Sequence, residues 1–191
     1  HDTKSVDKIM ENAMASVKGT AFGLGDAATV AATTVAAGVK PGKELERTLK
    51  IIGDSATIAG TGMDEMGAIF NKVAAGGKLT TETMQQMQER GIPVMQFLSK
   101  ETGKSVAQVQ KDLSAGKIDF ETFQTAMEKN LGGAALESGN TFSGAMANVK
   151  AALGRVGAAF LGPLFTSGPG LLTKLTGVLD KMTPVAEIAG N

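Results

Sequence analysis

Apolar side chains along this chain recur three and four residues apart, and almost no segment alternates with the two-residue period of a strand. The pattern predicts an all-α fold. Val6, Ile9, Met10, Ala13, Met14 and Val17 fall on one face of a first helix, with Lys4, Asp7, Lys8 and Glu11 outside it. From Gly19 to Gly38 the chain is rich in Ala, Gly, Thr and Val, and reads either as closely packed helix or as mobile chain. Leu45, Leu49 and Ile52 mark a short helix ended near Gly53. Met63, Met66, Phe70 and Val73 mark another, stopped by Gly76 and Gly77, where a left-handed C-cap is easy.

The centre, from Gly76 to Gly133, is a run of short helices with explicit punctuation. Thr80 or Thr81 opens a helix carrying Met84 and Met87, and Gly91 ends it. Pro93 suits the first turn of the next, which carries Val94, Phe97 and Leu98 and closes at Gly103. Ser105 followed by Gln108 fits a reciprocal capping box ahead of Val106, Val109 and Leu113, and Gly116 follows. Asp119 caps a helix with inner residues Phe120, Phe123 and Met127, ended by Gly132 and Gly133. Helices this short are unstable alone, so a compact subdomain is expected.

The last third carries a different period. Phe142, Met146, Val149, Leu153, Val156 and Phe160 are spaced 4, 3, 4, 3 and 4 apart. That seam of period 3.5 keeps one stripe against a partner helix, and small residues flank it. After a Gly/Pro hinge near 162–170, Leu171, Leu172, Leu175, Val178, Leu179 and Met182 form a second stripe. The reading is a compact bundle of short helices followed by longer amphipathic helices, as a helical hairpin or coiled-coil-like extension. Three parts follow: residues 1–43 with an amphipathic helix and the Ala/Gly/Thr-rich tract, a compact domain over 44–133, and long helices over 134–191.

Composition narrows the chemistry. The 191 residues contain no cysteine, which removes thiol nucleophiles, disulfides and thiolate metal sites. The single histidine is His1, expected as a purification-tag remnant at the start of an excised fragment, so no Ser-His-Asp arrangement is available inside the chain. Lys+Arg and Asp+Glu are both 19, and Arg47, Arg90 and Arg155 are the only arginines, so no electropositive face for nucleic acid is expected. Val156–Thr173 is uncharged, but Gly157, Gly162, Pro163, Gly168, Pro169 and Gly170 break it, and a hinge suits it better than a membrane span.

Candidate reactive groups reduce to structural roles. Asp64 and Glu65 are adjacent on a predicted helix and point apart. Asp119 and Glu121 sit at a helix start, where Asp119 has a capping task. Gly19, Gly23 and Gly25 lack the preceding strand and following Lys-Ser/Thr of a phosphate loop. The ten methionines mostly fall on predicted inner faces as core filling. Ser105–Met127 imitates a helix-turn-helix, but its second helix opens with Asp119 and Glu121, which repel phosphates. No catalytic residue, cofactor site or metal site is predicted.

The run GMDEMGAIFNKVAAGGKL from Gly62, followed by ERGIPVMQFL from Glu89, resembles the N-terminal domain of bacteriophage and prophage tail tape measure proteins. So do SVAQV from Ser105 and SAGKIDFETF from Ser114, continuing to Ala126 and Met127. NTFSGAMANVKAALG from Asn140 and LKIIGDSA from Leu49 fit the same family, and the likeness spans about Glu44 to Leu164. The resemblance implies a structural virion component, not an enzyme. It implies a scaffold and ruler for tail tube length, associated with DNA ejection and lodged in the tube lumen of the virion tail after assembly in the host cytoplasm. The implied partners are the tail tube protein, tail assembly chaperones and tail tip proteins, and the seam from Phe142 to Phe160 adds self-association as a candidate contact.

Two other readings stand beside it: a membrane-active helical module assisting DNA entry, and a cell-wall hydrolase region. A continuous helix of 191 residues reaches under about 300 Å, and the short central helices forbid even that, so a piece of a longer ruler is expected.

Overall fold

The computed structural model describes residues 3–140, and among them every named element is an α-helix. In chain order these are α1 (Thr3–Val17), α2 (Leu24–Ala36), α3 (Lys43–Ala59), α4 (Met63–Gly76) and α5 (Thr81–Glu89). They continue as α6 (Val94–Thr102), α7 (Val106–Ser114), α8 (Phe120–Leu131) and α9 (Ala134–Asn140). The fold of the described residues is all-α. The tract between Gly19 and Gly38 is helix rather than mobile chain: α2 packs on α1, α3 and α4 and buries Ala27, Val30, Ala31 and Thr34.

Helix α3 is the hub, packing against α1, α2, α4, α8 and α9. It runs unbroken through Gly53 and stops at Gly60, which has the left-handed φ of 65°. The expected stop at Gly53 is therefore corrected. An interior glycine costs a helix about 1 kcal/mol, and burial of Ile51, Ile52, Ser55 and Ala56 around it outweighs that. One hydrophobic cluster extends from Ala13 to Leu131 without a break near residue 43. At its centre the rings of Phe70 on α4 and Phe123 on α8 lie 5.0 Å apart and tilted by 50°.

The short helices start where the punctuation puts them. Thr80 and Thr83 form a reciprocal capping box at α5. Asp119 Oδ1 accepts from the Thr122 N–H at 2.7 Å to open α8. Ser105 Oγ accepts from Gln108 N–H at 3.3 Å, but the Gln108 side chain turns away from the cap and donates to Asp112 Oδ1. There its amide N–H makes a charge-assisted bond to the carboxylate while its oxygen leaves the Ser105 N–H unmet, so the expected reciprocal box is half made. Away from the helices, the Leu79 N–H donates to Ile118 O at 2.8 Å and the Phe120 N–H to Gly77 O at 3.1 Å. This pair of bonds ties the α4–α5 connection to the α7–α8 connection through an isolated antiparallel bridge between Lys78 and Asp119.

Helix α1 is turned part of the way from the face its hydrophobic pattern predicts. Ala13 is buried and Ile9 and Val17 pack against the core as expected, but Asn12 and Ser16 are buried beside them, whereas Val6, Met10 and Met14 are 50, 39 and 57% exposed. The cause is polar. Asn12 Oδ1 accepts from the Gly42 N–H at 2.8 Å, just ahead of α3, and Ser16 Oγ satisfies itself on Ala13 O. Meeting a backbone donor that would otherwise be stranded rotates the helix away from its most apolar sector.

Helices α2 and α4 approach closely at Gly67. A Cβ placed there would lie 2.7 Å from Cγ1 of the buried Val30. Gly67→Ala gains about 0.5–1 kcal/mol of helix preference against about 1–3 kcal/mol of overpacking, so a net loss of about 1 kcal/mol is expected in urea unfolding. Combined with Val30→Ala, the loss should be smaller than the sum of the two singles by at least ~1 kcal/mol; simple additivity would refute the steric account.

Candidate functional site

Several polar side chains of the described body are committed to one another across helix pairs. Arg47 on α3 reaches three positions along one face of α8: Nη1 to Glu121 Oε1 at 2.6 Å, Nη2 to Thr125 Oγ1 at 3.0 Å and Nε to Glu128 Oε2 at 2.8 Å. Burial pulls the Arg47 pKa down, but the hydrogen bonds to Glu121 and Glu128 outweigh it and the net shift is upward. The guanidinium is thus held charged as a clamp between α3 and α8. Being partly exposed, each such pair contributes at most about 1 kcal/mol. Arg90 on α5's C-terminal side donates from Nε to Glu65 Oε1 at 2.9 Å and also pairs through Nη2. Both described arginines therefore engage carboxylates, and neither projects as a free phosphate ligand.

A second cluster joins the α6–α7 turn. Lys104 Nζ lies 2.6 Å from Asp112 Oδ2, and Gln108 holds the other oxygen. The hydrogen bond from Lys104 holds the Asp112 carboxyl below the usual carboxylate range. Asp119 is shifted the same way, chiefly by the backbone N–H of Thr122. Of the acids singled out in the sequence, Glu65 is bound by Arg90, Asp119 caps α8 and Glu121 is bound by Arg47. No two of them are brought together across a cleft.

Sequence reasoning missed Asp54. This residue sits on the inner side of α3, is 7% exposed, and accepts the backbone N–H groups of Gly133 at 3.0 Å and Ala135 at 2.8 Å. The available signal was a carboxylate directly after the apolar Ile51 and Ile52 and close to Ala56, among positions where an unpaired charge is not tolerated if they are buried. A cleft of about 260 Å³ opens beside it, lined in part by Ser16, Lys18, Lys50, Asp54 and Leu136. Lys50 pairs with Glu46 at 2.6 Å, and Asp54 is occupied by the two N–H groups, so the cleft assembles no nucleophile with a base. Among the described residues no cluster of His, Cys, Asp or Glu has the arrangement of a metal site, and no helix is long and apolar enough to cross a membrane.

The apolar seam Phe142, Met146, Val149, Leu153, Val156 and Phe160 lies outside the described residues, as do Arg155 and the stretch Val156–Thr173.

The family model described as "Tape measure protein" matches residues 1–160. The chain belongs to the tape measure protein family. This places it in a phage tail, as part of a structural component that functions among tail proteins, and the family is not an enzymatic one. The match covers the amphipathic α1 and the α2 tract as well as the central punctuated helices. No curated protein and no solved structure matches the chain.

The Asp119 cap gives a pH-dependent expectation. Its folded pKa lies below the ordinary 3.8, so its contribution is complete above that value and fades as pH falls through the lowered one. Asp119→Ala should cost about 1 kcal/mol at neutral pH in urea unfolding, and the difference from wild type should shrink as pH falls below 3.8. A cost that does not change with pH would remove the ionised cap from the account.

Proposed function

We propose that this chain is a piece of a tail-length ruler: a compact helical body followed by the beginning of an extended helical region. The observation carrying this reading is the family match over residues 1–160, which takes in the whole described body and continues past it. Arg47 clamps α3 to α8 and Arg90 ties the end of α5 to α4, which supports a role in packing. Within the tail the chain lies in the tube lumen, presents helical surfaces to the tail tube protein, and is handled by tail assembly chaperones and tail tip proteins. It leaves the tail in the course of DNA ejection.

Length control follows from helix geometry. A continuous helix adds 1.5 Å per residue, so in the full-length parent protein an in-frame insertion of fourteen helical residues after Asn140 should lengthen tails by roughly 21 Å, as measured by electron microscopy. Tails of unchanged length would reject the ruler reading for this part of the chain.

The seam from Phe142 to Phe160 is proposed to pack against another helix or a second copy, because an apolar stripe of period 3.5 faces a partner along its whole length. Leu153→Asp together with Val156→Asp should abolish self-association of the fragment in light scattering. A mass that does not respond to the two charges would eliminate the seam as the contact.

A further inference from the structure

We draw no further inference here: the strongest candidate, the exposed apolar stripe of Val6, Met10 and Met14 along α1, carries nothing because charges of both signs flank it at Lys4, Asp7, Lys8 and Glu11 and nothing in the structure shows what covers it.

Discussion

Helices of nine residues, such as α5, α6 and α7, lie below the length at which a helix persists in water. Each therefore exists only because its neighbours exist, and those neighbours lead back to one element on which five of the other described helices pack. Helix α3, at seventeen residues the longest described, buries Leu45, Leu49, Ile51 and Ile52, and five other helices pack on it. The part of the body that α3 does not touch closely is tied in by other means. Phe70 meets Phe123 between α4 and α8, and the bridge at Lys78 and Asp119 joins two connections about forty residues apart in sequence. Local order in the centre is thus a consequence of non-local closure.

This dependence explains what could be read in the chain and what could not. Helix limits set by local chemistry were legible: the Thr80 and Asp119 caps and the stops at Gly77 and Gly103 depend on a few neighbouring residues. The misreadings lie where a distant group intervened. Gly53 looks like a terminator until the burial of its neighbours is known. The inner face of α1 cannot be found in full by hydrophobic pattern when Asn12 answers the Gly42 N–H thirty residues away. Val106, placed on an inner face by spacing, is 45% exposed because α7 meets the body through Val109 and Leu113. Asp54 belongs to the same class, since its two partners are about eighty residues away.

The same commitments decide what the body is chemically. A reactive site needs groups held close with some of their bonding capacity unspent. Here Arg47 gives three donors to α8, Asp112 takes Lys104 and Gln108, and Asp54 takes two backbone N–H groups. Ionisable side chains whose bonds are spent on one another stabilise an arrangement and have little left with which to transform a ligand.

A ruler reading also carries a constraint on which residues can measure. Length per residue is fixed at 1.5 Å only where a helix continues in one direction. Within α1 to α8 the chain reverses between helices of nine to seventeen residues and returns repeatedly to α3, so adding residues there adds volume or disrupts packing without adding proportionate length. On the proposed reading, the body acts as an end piece and the proportional part begins beyond it.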